Sequence, residues 1–135
     1  MKGLFAYESA YRDYTRACIE DFVEDNIQWA EIRPNFMGTN QVSKDDGEGP
    51  TFDNAAIMQI IQDELNITMD KINADDGKYF GGMKVIYCTP RSFEKPTVKG
   101  CLDECLELKL KYPKLLCGKS SKCILTITVQ QTNNL

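Results

Sequence analysis

Three groupings in this sequence have residue types and spacings that can support chemistry. Cys101 and Cys105 lie four apart, one helical turn, which sets two thiols on one face and half-builds a soft-metal site. Such a site needs two more donors, and buried cysteine otherwise behaves as a small hydrophobe. Glu31 and Arg33, two apart on an apolar run, point to the same side of a strand. With Asn35 and Arg91 they can shape a substrate pocket; the alternative is an ion-pair network of Glu31 with Arg33 or Arg91. Asp45, Asp46 and Glu48 around Gly47 lack the alternating ligands and terminal glutamate of a calcium loop, so a solvated loop is expected. Gly81-Gly82 has no following Lys-Ser/Thr and opens no helix, so a turn is expected there instead of a phosphate cradle.

The missing residue type is as informative. Among 135 residues there is no histidine, the usual general base near neutral pH and the commonest zinc ligand. Serine and cysteine triads and His-ligated metal centres are therefore excluded for the isolated chain. A net charge of -4 leaves no sustained basic face for phosphates or anionic lipid, so neither nucleic acid nor a membrane surface is an expected partner. No apolar run approaches the ~18 residues of a bilayer span. As written, the sequence reads as soluble and without an export signal. The six cysteines lack the density of a disulfide scaffold and are expected to be mostly reduced core thiols.

The elements that must position these groups follow from periodicity. Residues 6–25 place Tyr7, Tyr11, Tyr14, Cys18 and Phe22 at steps of three or four, an amphipathic helix. Asp25-Asn26 ends it, and 27–33 read as a strand stopped by Pro34. Residues 35–50 are Gly, Asn, Ser and Asp-rich, a loop with no core-forming residues expected. Thr51 or Asp53 can cap a second helix with Ile57, Ile61, Leu65, Thr68 and Ile72 inward. Residues 83–88 (MKVIYC) read as a second strand. A third helix, with Ser92 as N-cap and Pro96 in its first turn, would bury Val98, Cys101, Leu102, Cys105, Leu108 and Tyr112, and Pro113 stops it. Asn66-Ile67-Thr68 is a formal glycosylation sequon, but it sits inside the second helix.

Strands alternating with helices indicate an α/β fold with about two to three parallel strands and three amphipathic helices. An eight-stranded barrel typically takes about 250 residues, so this length matches an incomplete (β/α)8 TIM-barrel segment. Residues 124–129 (ILTITV) are a candidate third strand, although the composition shifts near Gly118. The expected division is a barrel-like segment over 1–118 and a divergent tail over 119–135.

Three blocks, YRDYTRACIEDFVEDNIQWAEIRPNF, GKYFGGMKVIYCTPRSF and LKLKYPKLLCG, stand in the order and spacing of one family. Over about 4–118 the sequence resembles the growth-factor-type branch of the adenosine deaminases, with its Trp/Tyr-x-Glu-x-Arg core at Trp29, Glu31 and Arg33 and its Arg-Ser at Arg91 and Ser92. The resemblance implies a zinc-dependent hydrolytic deamination of adenosine to inosine on a (β/α)8 barrel, in members that are often extracellular. The family's His-x-His pair, later histidines, acid-base glutamate and metal-binding aspartate cannot be aligned here. Where the family continues Gly-Phe-Asp-Leu-x-Gly, this chain reads Gly118-Lys119-Ser120-Ser121-Lys122-Cys123.

Attack on a purine ring needs a metal-activated water and a general acid-base pair around one carbon. No catalytic residue and no cofactor is therefore expected in this chain, and no turnover from it alone. The alternative reading is a small non-catalytic α/β interaction module, prone to self-association through uncovered strand edges and apolar surface.

Overall fold

The computed structural model describes residues 6–37, 42–75, 77–90, 92–120 and 128–130, with backbone alone over 118–120 and 128–130. The chain runs α1 (Glu8–Glu24), β1 (Trp29–Ile32), α2 (Asn54–Asn73), β2 (Gly82–Cys88), α3 (Lys95–Lys111), β3 (Leu116–Ser120) and β4 (Thr128–Gln130). It is an α/β fold with three helices and three parallel strands, as expected. Among the described residues no helix is long and apolar enough to cross a membrane.

Local chemistry sets the boundaries. Helix α1 ends in Asn26, which takes a left-handed φ of 57°. Its N–H reaches the Val23 carbonyl, and Ile27 N–H reaches that of Phe22. This paired closure satisfies carbonyls the helix would leave orphaned, with buried Ile27 and Phe22 flanking it. Helix α2 starts where Asp53 accepts from Ala56 N–H at 2.7 Å, the N-cap bond its position predicts. The cap of α3 is Glu94 and not Ser92. Phe93 N–H turns back to Pro90, which holds Ser92 in a turn, and Pro96 falls in the first helical turn, where its missing N–H costs nothing.

The sheet order is β3-β2-β1-β4. β2 lies between two parallel neighbours, paired Ala30↔Met83 and Ile32↔Val85 on one side and Val85↔Leu116 on the other. β3 was not expected, because Leu115-Leu116-Cys117 is too short an apolar run to announce a strand; its ladder is set by backbone pairing with β2. The composition shift near Gly118 lies inside it. Of the candidate strand at 124–129, residues 128 and 129 fall in β4, which pairs antiparallel with β1; 124–127 lie outside the described residues.

One face of the sheet carries Ala30, Met83, Val85, Tyr87 and Leu116, which form a single core with Ile19, Phe22 and Val23 of α1, Ile57, Met58 and Ile61 of α2, and Cys105 and Leu108 of α3. The alternate residues Glu31, Lys84, Ile86 and Cys88 are half-buried on the other face. At the entrance to β2 the indole of Trp29 lies against Gly81 and Gly82. A Cβ on Gly81 would come within 2.6 Å of that ring, and Gly82 holds a φ of +137°. The two glycines therefore serve close packing and a backbone conformation that L-residues rarely adopt.

Three expectations are corrected here. The buried residues of α1 are Thr15, Ile19, Phe22 and Val23, while Tyr14 is exposed; the helix is turned so that Arg12 and Arg16 meet α2, Tyr11 packs partly buried against the core and Tyr14 stays in solvent. Leu102 faces solvent, and the inward residues of α3 are Cys105 and Leu108, with Tyr112 just past its end. The loop after β1 does contribute to the core, through Phe36 and Val42. Val42 accepts from Phe52 N–H, and Ser43 bridges to Ala6 and Glu8, so this loop straps the start of α1. The acidic residues 45, 46 and 48 are exposed, as expected.

Helices α1 and α2 are joined by a carboxylate. Glu64 is 2% exposed, with Arg16 Nη2 at 2.9 Å on Oε2 and Arg12 Nη1 at 3.3 Å on Oε1. Glu8 and Asp13 share the arginines from the solvent side. Burying a carboxylate costs several kcal/mol unless it is paired and hydrogen-bonded. Replacing both Arg12 and Arg16 by Met strands that charge, and chemical denaturation is expected to show a loss of about 3–5 kcal/mol. Adding Glu64→Met to that double variant is expected to restore most of it, because no charge then remains buried. Equal stability of the double and triple variants would show that Glu64 is not held by these arginines.

Candidate functional site

The rim where β1 and β2 end is tied together by one polar node. Tyr87, on the core face of β2, is almost fully buried, and its ring stacks on Phe36 of the loop after β1 with centroids 4.9 Å apart. Its hydroxyl donates to Glu104 Oε2 of α3. Asn54, the first residue of α2, donates from Nδ2 to both Glu104 oxygens at 2.9 and 3.0 Å and to the Phe36 carbonyl at 3.1 Å. β2, α2 and α3 therefore meet at one carboxylate, and the loop after β1 is tied to it through Asn54 and Tyr87. Burial, and after it the hydrogen bond to Glu104, pushes the Tyr87 proton well above the ordinary phenol range. Tyr87 is thus a fixed neutral donor, and Glu104 is occupied on both oxygens.

The sequence-derived site residues are placed unevenly. Arg33 lies just past β1, and its Nε is buried without a hydrogen-bond partner among the described residues. It forms no ion pair with Glu31, although Glu31 stands beside Lys84 in the β1–β2 register. Asn35 is exposed, and its Oδ1 accepts from Met37 N–H at 3.0 Å, which shapes a local turn. Arg91 lies outside the described residues. Arg33 and Asn35 therefore share the rim loop, but no contact joins their side chains.

Sequence reasoning missed Tyr87, Glu104 and Asn54. Two signals were available. Tyr87 alternates with Met83 and Val85 on a buried face and so needs an acceptor, and Glu104 interrupts the inward row of Cys101, Cys105 and Leu108.

A shallow cleft of about 350 Å³ lies where the starts of α1 and α2 meet the end of α3. Glu8, Arg12, Gln59, Lys111 and Tyr112 line it, and the Tyr112 hydroxyl is engaged with the Ala55 carbonyl and Gln59 Oε1. Its charges are mixed in sign and largely paired, so it presents no set of groups converging on a ligand.

The zinc that the family resemblance implies does not fit the residues present. There is no histidine, and among the described residues no group of three or more Cys, Asp or Glu side chains converges. Cys101 and Cys105 form no disulfide, the first half-buried beside Tyr87, the second in the core. The sequon threonine, Thr68, is buried within α2.

In comparisons with known proteins, no family model matches the chain. It is similar to adenosine deaminase 2 of Homo sapiens, 24% identical over 118 residues. The adenosine deaminase 2 of Pongo abelii matches equally, at 24% over 118 residues. In each case the match covers 87% of this chain and 21% of the relative. The chain thus spans about a fifth of the length of the curated relatives it matches, and the likeness is a weak one to the adenosine deaminase family.

Two buried phenols, Tyr87 of the node and Tyr11 of α1, make stability depend on alkaline pH with a definite sign. Burial pushes the Tyr11 phenol up to about 12 and raises that of Tyr87 as well. The unfolded chain releases these protons near the ordinary phenol value of 10.0, while the folded chain keeps them. Stability is therefore fully present below pH ~10 and falls as pH rises from there toward the folded-state values. Tyr87→Phe keeps the ring stack and removes the phenol. It is expected to cost about 1–2 kcal/mol near neutrality and to flatten the alkaline decline in denaturant midpoints. An unchanged pH slope would rule this coupling out.

Proposed function

We propose that this chain corresponds to a segment of an adenosine deaminase-like protein of the growth-factor-type branch, an incomplete (β/α)8 barrel that does not deaminate adenosine by itself. The observation that carries the reading is the similarity over 118 residues in a chain with no histidine. The architecture is consistent with it. Three parallel strands with helices packed on one face, and half-buried Glu31, Lys84, Ile86 and Cys88 on the other, are what a piece of a barrel presents when the barrel interior is open.

In a complete enzyme of this kind, adenosine or a related nucleoside is the substrate and zinc supplies an activated water. This chain's contribution lies at the rim. Arg33 and Asn35, with Arg91 beyond them in sequence, are the polar side chains offered to a pocket at the carboxyl ends of the strands, and the Tyr87–Glu104–Asn54 node holds the loop that carries the first two. The chain has no histidine to supply the family's histidine ligands or its proton-transferring histidine, and the motifs that carry the family's aspartate and acid-base glutamate do not align with it. Each ~1.36 kcal/mol of lost transition-state stabilisation costs tenfold in rate, so losing the whole set leaves no turnover.

Purified chain incubated with adenosine and zinc salt is expected to release no ammonia or inosine above a no-protein control, and elemental analysis to find zinc well below one per chain. Stoichiometric zinc together with conversion of adenosine to inosine would overturn the reading.

A further inference from the structure

We propose that β4 is an autoinhibitory edge strand, through which the chain's own residues 128–130 hold the outer edge of β1 against addition of any other strand. In the order β3-β2-β1-β4, β1 has neighbours of opposite direction: β2 runs parallel to it and β4 antiparallel. The direction matters because the strands of a (β/α)8 barrel are all parallel. In such a barrel the edge of β1 away from β2 belongs to a further parallel strand. Here Thr128–Gln130 take that edge running the other way, so no barrel strand can join β1 until β4 leaves. The identity of the excluded strand rests on the incomplete-barrel reading; the closing of the edge does not.

Alternation along the strands assigns the backbone groups involved. Val85 N–H reaches the Leu115 carbonyl on the β3 side, so Lys84, one residue before it, directs its own N–H and carbonyl toward β1. Gly81 N–H reaches the Gln28 carbonyl. On β1, therefore, Gln28, Ala30 and Ile32 face β2, and Trp29 and Glu31 face away from it. Those two stand opposite Gln130 and Thr128, which makes Trp29↔Gln130 and Glu31↔Thr128 the pairs that exchange hydrogen bonds. Ala30↔Val129 is the unbonded pair between them, and the Val129 N–H and carbonyl point outward. β4 thus satisfies the row of amides and carbonyls that an open β1 edge would offer as a template to another chain. The contact is short, three residues against four, so it opens more readily than the β1–β2 ladder inside the sheet.

Amide hydrogen exchange on the full chain, read residue by residue, tests the contact. The Trp29 and Glu31 amides are expected to exchange at least about tenfold slower than unstructured amides, yet faster than those of Ala30 and Ile32. The double variant Thr128→Pro, Gln130→Pro removes both donors aimed at β1 and is expected to bring Trp29 and Glu31 to the unprotected rate while Ala30 and Ile32 keep theirs. Val129→Pro removes an outward N–H, a place where an edge strand tolerates proline, and is expected to leave the protection intact. A second copy of the chain is the probe for the opened edge. By light scattering, the double variant is expected to associate at about tenfold lower concentration than either the unmodified chain or Val129→Pro. Unprotected Trp29 and Glu31 in the unmodified chain, or equal loss of protection in Val129→Pro and the double variant, would refute the closed edge. Lost protection with no gain in association would refute its inhibitory role. Turnover of adenosine, which bears on the barrel-segment reading, moves none of these readouts.

Discussion

A phenol buried on the middle strand of the sheet must find an acceptor, and this requirement organises the end of the molecule where a site would lie. Tyr87 meets it with Glu104, and Glu104 in turn takes Asn54. The three residues belong to β2, α3 and the first turn of α2, so one hydrogen-bonded carboxylate sets the mutual placement of three elements. The Phe36 ring and carbonyl add the loop after β1. A neutral donor to a charged acceptor is a strong contact where water is scarce, and each partner would be costly to bury alone. The rim is therefore rigid because its polar groups satisfy one another, and for the same reason they are not free to react.

The same economy of charge appears at the other seam, where Glu64 sits between Arg12 and Arg16. Both nodes pin helices through a hydrogen-bonded carboxylate, fully buried at Glu64 and half-buried at Glu104. In both, the carboxylate is engaged by fixed donors, and the chain has no imidazole. What remains chemically suggestive is Arg33, with a buried Nε that has no partner among the described residues, on a loop that the Tyr87 node holds in place. The likeness to a fifth of a much longer deaminase is weak, and it covers most of this chain.

Helix existence was legible because apolar periodicity and punctuation agreed: Asp53 as cap, Asn26 as left-handed terminator and Pro113 as stop all act within a turn of where they stand. Helix orientation was less so. Tyr14 of α1 and Leu102 of α3 satisfy an amphipathic pattern equally well on a face that stays wet, since an apolar stripe does not say which neighbour covers it. β3 and the buried residues of the loop, Phe36 and Val42, were hidden for a related reason. Their burial comes from a backbone ladder with β2 and from the strap across α1, and neither partner is near in sequence. Arg33 and Asn35 stand on the loop after β1, and the residues that hold that loop, Tyr87, Glu104 and Asn54, carried no local signal as strong.

The sequence alone determined the number and kind of helices, the alternation that makes an α/β fold, and the absence of histidine with the chemistry that absence removes. These are matters of local propensity and inventory, and they need no partner. Tertiary structure decided which carboxylate received which donor, that three helices share one face of the sheet, and that three leucines of α3 remain in solvent. Such outcomes depend on contacts tens of residues apart, such as Arg16 with Glu64 or Asn54 with Glu104. The energy of burying a polar group is settled only by whatever side chain the fold brings against it.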